Sequence, residues 1–204
     1  MPKALQAELR PYQIEGFQWL ARLAHWGAGA CLADDMGLGK TVQAIAMLLH
    51  RAADGAALVV APTSVCPNWV EEMARFAPTL NIRLFGGTER ESLIESMAAF
   101  DVVVCSYALL QQETLLLTSR HWYTLVLDEA QAVKNFATKR AQAVLKLSAE
   151  FRLATTGTPV ENRLDELWML FRFLNPGLLG SRDISMSVLR CQSNAGRMRR
   201  RAQA

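Results

Sequence analysis

The chain has 204 residues, of which 51% are hydrophobic and 20% charged, with a formal net charge of +3. That balance excludes a disordered or fibrous chain, and the length suits one domain of ordinary size or slightly more. No apolar run is long enough to span a bilayer, and the first residues lack the apolar core of a secretion signal, so no membrane role and a cytoplasmic location are expected.

The first predicted element is an amphipathic helix within residues 9–26. Pro11 suits a first helical turn, Ile14, Phe17, Leu20 and Ala24 recur at helical spacing, and Gly27 and Gly29 end it. Gln13 is the polar residue of note, because an amide offers a donor and an acceptor together, as an adenine edge requires. Next comes the apolar run Ala30-Cys31-Leu32-Ala33, then Asp34-Asp35-Met36-Gly37-Leu38-Gly39-Lys40-Thr41, then Val42, Ile45, Ala46, Leu48 and Leu49 at helical spacing. Strand, glycine-rich turn and helix in that order form the signature of a phosphate-binding loop. Glycines at 37 and 39 let backbone N–H groups approach a triphosphate, and the helix N-terminus adds partial positive charge. Lys40 can reach the β- and γ-phosphates, and the Thr41 hydroxyl can hold Mg²⁺. Asp34 departs from the general pattern, which has Gly or Ala there. A glycine turn before an amphipathic helix is the structural alternative.

Ala57-Leu58-Val59-Val60-Ala61 reads as a buried parallel strand ending at Pro62-Thr63-Ser64. A helix over roughly 66–76 presents Trp69, Val70, Met73 and Phe76 on one face. Ile82 to Phe85 is a further strand, and Gly86-Gly87 a turn. Thr88 and Glu91 form a capping box for a helix running to Phe100. Val102-Val103-Val104 is another buried strand, ending at Cys105-Ser106-Tyr107.

Leu125-Val126-Leu127 runs into Asp128-Glu129. Two adjacent carboxylates at the end of an apolar strand are unfavourable unless they have a cation or a task. Beside the glycine loop, Asp128 suits the Mg²⁺ shell, and Glu129 suits orienting or deprotonating an attacking water. A plain acidic turn is the alternative. The last strand, Leu153-Ala154-Thr155, leads into Thr156-Gly157-Thr158-Pro159. Thr158 and Glu161 read as a capping box for the helix carrying Leu164, Leu167, Trp168, Leu170, Phe171 and Leu174, which stops at Asn175-Pro176-Gly177. The hydroxyls are either structural or sense a γ-phosphate. Six alternations of strand and helix predict an α/β fold, a parallel sheet with helices on both faces, and place every landmark at the strands' carboxyl ends.

Together these motifs resemble the first, RecA-like motor lobe of the SNF2 family of DNA-dependent ATPases, within helicase superfamily 2. Asp34 to Thr41 with Gln43 is similar to motif I of that family, including its Asp at 34. Leu9-Arg10-Pro11-Tyr12-Gln13 with Gly16, Trp19 and Leu20 resembles the adenine-side motif. Pro62-Thr63-Ser64 with Asn68-Trp69 resembles motif Ia, and Ser106-Tyr107 motif Ib. Asp128-Glu129-Ala130-Gln131 resembles motif II, with Gln where His is commonest, a variant similar to bacterial members. Ala154 to Asn162 resembles motif III. The resemblance implies ATP and Mg²⁺ as cofactors. The ATP contacts would be Gln13, Asp35, Met36, Gly37, Leu38, Gly39, Lys40 and Thr41. Lys40, Asp128 and Glu129 would be catalytic, Thr41 and Asp128 would hold the metal, and Gln131, Thr156, Gly157 and Thr158 would couple the site to motion. It further implies duplex DNA as a partner, near Ser64, Asn68, Trp69, Ser106 and Tyr107. A second RecA-like lobe, bearing arginine fingers, is also implied; nothing in this chain resembles one, and ATP binding with little hydrolysis is expected of it alone.

The lobe is expected over residues 1–182, with an aberrant basic tail over 183–204. Residues 181–204 hold six Arg against one acid, whereas the other 180 residues hold 16 basic against 18 acidic side chains, so the basic balance belongs to the tail. From Ile184 no helical stripe or strand alternation survives. A basic nucleic-acid tail, a solvated disordered end and a shifted reading frame compete. The last is preferred, because a frame moved by two nucleotides admits a sequence like the family's continuation. Of the cysteines, Cys31, Cys66 and Cys105 read as buried or half-buried free thiols in a reducing compartment, and Cys191 falls in the tail.

Overall fold

A computed structural model describes residues 1–157 and 164–180. Six strands, β1 (Ala30–Leu32), β2 (Ala57–Ala61), β3 (Asn81–Leu84), β4 (Asp101–Ser106), β5 (His121–Leu127) and β6 (Ser148–Thr155), form one sheet in the order β1-β6-β5-β2-β4-β3. Every pairing is parallel. Parallel neighbours need crossovers, and helices supply them on both faces.

Strand parity divides the core in two. Leu58, Val60, Val103, Cys105, Leu125 and Leu127 face one layer, where they pack with Leu110 of α5 (Tyr107–Gln112), Val144 of α7 (Lys139–Lys146) and Phe173 of α8 (Leu164–Leu174). Val59, Val102, Val104 and Val126 face the other layer, with Phe17 and Leu20 of α1 (Pro11–His25), Ile45 and Leu48 of α2 (Lys40–Arg51) and Met73 of α3 (Cys66–Phe76). These strand residues are at most 1% exposed, which is why each central strand reads as an unbroken apolar run rather than an alternating one. No helix among the described residues is long and apolar enough to cross a membrane.

Most predicted elements lie where the periodicity places them. α1 starts with Pro11 in its first turn, and Gly27 (φ +70°) follows its end. The helix expected to run to Phe100 is shorter: α4 covers Arg90–Ser96, is preceded by Glu89, and has no side-chain cap, so Thr88 and Glu91 form no capping box. Its early end has a local cause. Asp101 Oδ2 accepts the Ala98 N–H at 2.7 Å, closing a turn, and Phe100 takes φ +67°. The short helices α5, α6 (Thr114–Thr118) and α7 were not anticipated. Ser106 and Thr138 cap α5 and α7 by accepting from the N–H groups of Leu109 and Ala141, both at 3.2 Å. The Thr158–Glu161 capping box and the tail from 183 onward lie outside the described residues. Cys31, Cys66 and Cys105 are free thiols, the first half-buried and the others buried.

Because all strands are parallel, the segments after β1, β2, β4, β5 and β6 emerge along one edge of the sheet. β6 alone separates β1 from β5, so the glycine loop and the acidic pair stand two strand spacings apart, about 10 Å.

Candidate functional site

The loop between β1 and α2 has two left-handed glycines, Gly37 (φ +84°) and Gly39 (φ +75°), and Gly39 occupies the N-cap of α2. Left-handed backbone is where glycine is favoured over any side chain. The Lys40 ammonium folds back over the loop, donating to the carbonyl oxygens of Asp34 at 2.7 Å and Asp35 at 3.0 Å. Met36 stands out into solvent, 80% exposed. Gln13 reaches the loop from α1. Its Nε2 donates to the Leu38 carbonyl at 3.1 Å, and its Oε1 accepts the Arg10 N–H at 2.9 Å, so both ends of the amide are engaged. The Tyr12 hydroxyl donates to the same Leu38 carbonyl at 3.2 Å. Gln43, which is completely buried, donates from Nε2 to Asp34 Oδ2 at 3.3 Å. Asp34 is thereby tied to α2, which accounts for an acid where the general pattern has a small residue.

The acidic pair follows β5. Asp128 is anchored through its backbone, its N–H donating to Val60 at 2.8 Å and its carbonyl accepting the Tyr107 hydroxyl at 2.8 Å. Its carboxylate takes three further donors: the Trp69 indole Nε1–H on Oδ2 at 2.8 Å, and the Thr155 hydroxyl at 2.6 Å and the Glu129 N–H at 3.0 Å on Oδ1. Glu129 adopts a left-handed conformation (φ +50°). Its carboxylate accepts from Gln131 Nε2, and Gln131 Oε1 accepts the Thr156 hydroxyl at 2.8 Å. A hydrogen-bonded series thus runs from the end of β6 to Glu129. Gly157 sits close to the loop as well, since a Cβ there would lie 3.1 Å from Met36 Cγ.

One open cleft of about 510 Å³ brings the two halves together. Gly37, Gly39, Lys40 and Thr41 line it from one side, and Asp128 and Glu129 from the other. Its size falls in the usual range for small-ligand sites. A hydroxyl and a carboxylate facing a glycine turn and a lysine form an oxygen donor set beside a cationic cradle, which fits a magnesium-bound polyphosphate.

Val65, Glu72, Arg75 and Phe76 also line this cleft, and sequence reasoning did not single them out. Spacing could have found Glu72, which lies three residues beyond Trp69 on the same face of α3. Burial, and then the negative charge of Asp128, raise the Glu72 carboxyl above its ordinary range, with Arg75 opposing. Burial, and again Asp128, raise the Tyr107 phenol well above its usual value, so it serves as a donor. Thr155 was noted only as part of a hydroxyl-rich turn; its partner on Asp128 was not legible.

Three of the five residues expected to contact DNA are placed otherwise. Trp69 is 1% exposed with its indole on Asp128. Ser106 is buried and caps α5, and Tyr107 is buried with its hydroxyl on the Asp128 carbonyl. Side chains turned inward to satisfy their polar atoms have no surface left for a DNA backbone. Ser64 and Asn68 are exposed, at the start of α3. Thr158 lies outside the described residues.

Comparison with known proteins agrees with this geometry. The model of the SNF2-related domain matches residues 12–201. A Bacillus subtilis protein named as an ATP-dependent helicase/translocase, YwqA, is 47% identical over 185 residues, covering 87% of this chain and 20% of its own length. The helicase SWR1 of Mycosarcoma maydis is 42% identical over 184 residues, 86% of this chain and 10% of its own. Among solved structures, the Sulfolobus solfataricus SWI2/SNF2 ATPase core in complex with double-stranded DNA superposes with a TM-score of 0.83 at 43% identity, covering 92% of this chain and 40% of that one. The chain therefore spans between a tenth and two fifths of the length of these relatives.

Proposed function

Since this chain belongs to the SNF2-related domain family of helicase-like ATPases, we propose that it is the nucleotide-binding lobe of an ATP-driven translocase acting on duplex DNA. The observation that carries this reading is the single cleft lined by both the glycine loop and the acidic pair. Bound nucleotide would place its phosphates on the backbone of Gly37 to Thr41, with Lys40 leaving the Asp34 and Asp35 carbonyls to meet the β- and γ-oxygens. Asp35, Met36 and Leu38 would shape the loop around them. Gln13 would read the adenine edge. Thr41 and Asp128 would hold the magnesium ion, which neutralises charge on the phosphates. Glu129 would orient the attacking water and accept its proton, held in place through Gln131. Gln131, Thr156, Gly157 and Thr158 would report the state of the γ-phosphate to the rest of the motor. Ser64 and Asn68 would lie toward the DNA.

Arginine fingers contributed by a partner surface raise phosphoryl-transfer rates by roughly 10³–10⁵. This chain spans 40% of a solved ATPase core and carries nothing that resembles a second lobe. We therefore infer binding of magnesium-ATP with little hydrolysis by this chain alone. That short span also favours the alternative of a non-catalytic ATP- or DNA-binding fragment. Two measurements test the reading. Anisotropy of a fluorescent ATP analogue should show magnesium-dependent binding that Lys40→Ala abolishes; retained affinity in that variant removes the loop as the site. Steady-state turnover should stay low with and without duplex DNA, and strong stimulation by DNA would overturn the view that a second lobe is required.

A further inference from the structure

We infer that Trp69 and Thr155 are positioning residues for Asp128, together directing one oxygen, Oδ2, into the nucleotide cleft. The inference rests on the nucleotide reading above and deepens it.

The reasoning starts from the carboxylate's capacity. An ionised carboxyl has two oxygens and about four lone-pair directions. Oδ1 is filled by two donors, the Thr155 hydroxyl at 2.6 Å and the Glu129 N–H at 3.0 Å. Oδ2 receives one, the Trp69 indole at 2.8 Å. One acceptor direction on Oδ2 is left, on a group that lines the cleft with Lys40 and Thr41. The donors arrive from three separate elements: α3, β6 and the turn after β5. Both torsions of the side chain are therefore fixed before any ligand arrives. Ligands of a metal are oriented by such outer donors, and losing one commonly lowers metal affinity by roughly 10–100-fold.

A buried tryptophan needs a partner for its N–H in any case, and a main-chain carbonyl serves most of them. Trp122 is such a case here, donating to the Leu117 carbonyl at 3.0 Å. Trp69 donates instead to the carboxylate facing the phosphate loop. Its neighbour Asn68 is exposed, and Glu72 one turn later lines the same cleft. α3 therefore joins the surface near Ser64 and Asn68 to the metal-side oxygen of Asp128 through a single side chain.

The test is equilibrium binding of a fluorescent ADP, titrated with MgCl₂ or held in EDTA, for the wild type and for Trp69→Phe and Thr155→Val. Each change keeps most of the volume and removes one donor. We expect each to reduce the magnesium-dependent gain in affinity about tenfold, with affinity in EDTA unchanged within about twofold. In an Asp128→Asn background, Trp69→Phe should add no further loss, because both changes act through one carboxylate. Equal losses with and without magnesium, or no loss in either, would show that Trp69 only packs. Should Trp69→Phe fail to fold, Thr155→Val and its cycle with Asp128→Asn decide alone. A wild type whose affinity gains nothing from magnesium would sink the nucleotide reading and this inference with it; a magnesium gain that survives both substitutions sinks this inference only.

Discussion

Replacing Gly39 by alanine isolates the loop geometry from the chemistry of its side chains. Gly39 takes φ +75° and ψ +41°, the left-handed helical region, where an L side chain is disfavoured by about 1–2 kcal/mol. A Cβ added there would also lie 2.3 Å from Gln13 Nε2 and 3.3 Å from Val42 Cγ1. Gln13 is flexible in principle, yet its amide is held at both ends by Leu38 and Arg10, so retreat breaks at least the 3.1 Å bond to Leu38. That loss is worth about 1 kcal/mol. Together the change destabilises the fold by about 2–3 kcal/mol, which for a domain of this size lowers the melting temperature by about 4–12 °C. Nucleotide affinity should fall further than stability does, because the same displacement removes Gln13 from the loop and crowds the backbone that faces the phosphates. Thermal unfolding by circular dichroism and anisotropy with a fluorescent ATP analogue measure the two effects separately. A Gly39→Ala protein that melts and binds nucleotide like the wild type would show that the left-handed N-cap and the Gln13 contact are not the resting geometry.

Three further predictions follow from other parts of the fold. Gly16→Ala gains about 1 kcal/mol of helix propensity, but its Cβ would stand 2.0 Å from Oε1 of the completely buried Gln43, so overpacking of about 1–3 kcal/mol should win and lower the melting temperature; a rise would mean the α1–α2 contact yields. Arg152 is 8% exposed, with Nη2 on the Leu147 carbonyl at 2.7 Å, Nη1 unpartnered, and its guanidinium 5.5 Å from the Phe173 ring centroid. Arg152→Met, which keeps the stem, should leave stability unchanged or raise it by about 1 kcal/mol, and a clear fall in the denaturation midpoint would refute that view. Burial pushes the Cys31 thiol from about 9 up to about 11, so its protonated form is favoured by folding. That contribution is complete below about 9 and fades as pH rises toward about 11. Peptide mapping after iodoacetamide at pH 8 should find Cys31 and Cys105 labelled in denaturant and barely labelled in the native protein.

The sheet was legible because burial on both faces turns each central strand into a short apolar run. The run at 57–61 matches β2 end for end, with all five residues buried. The loop and the acidic pair were legible because glycine next to lysine, and paired carboxylates after an apolar strand, have few other uses. α5, α6 and α7 were not, since helices of six, five and eight residues complete too few turns to show a stripe. The residues misassigned to DNA share one cause. Helical spacing says which side of α3 faces inward, and it placed Trp69 there correctly. It does not say what an inward N–H or O–H will find. Trp69, Ser106 and Tyr107 each carry a polar atom that must be satisfied once buried, and each finds its partner on another element or on the turn it caps. Resemblance to a motif located these residues near the site without giving their direction.

Strand order was the other fact that periodicity could not supply, and the site depends on it. β6 is the last strand in the chain and yet stands between β1 and β5. Its end therefore touches both halves of the cleft: the Thr156 N–H donates to the Leu32 carbonyl at 3.2 Å, the Thr156 hydroxyl reaches Gln131, and the Thr155 hydroxyl reaches Asp128. Two adjacent hydroxyls on one strand end thus serve the two carboxylates separately, Thr155 directly and Thr156 through Gln131. Removing them one at a time should separate their roles. Thr155→Val should weaken magnesium-dependent nucleotide binding, while Thr156→Val should leave binding within about twofold, because no donor to Asp128 is lost. The Thr156→Val effect should instead appear as greater mobility of Gln131 and Glu129, read as broadened side-chain amide resonances of Gln131. Equal losses of affinity from the two substitutions would mean that the hydroxyls act on one carboxylate, and that the division between metal-side and water-side acids drawn from this geometry is wrong.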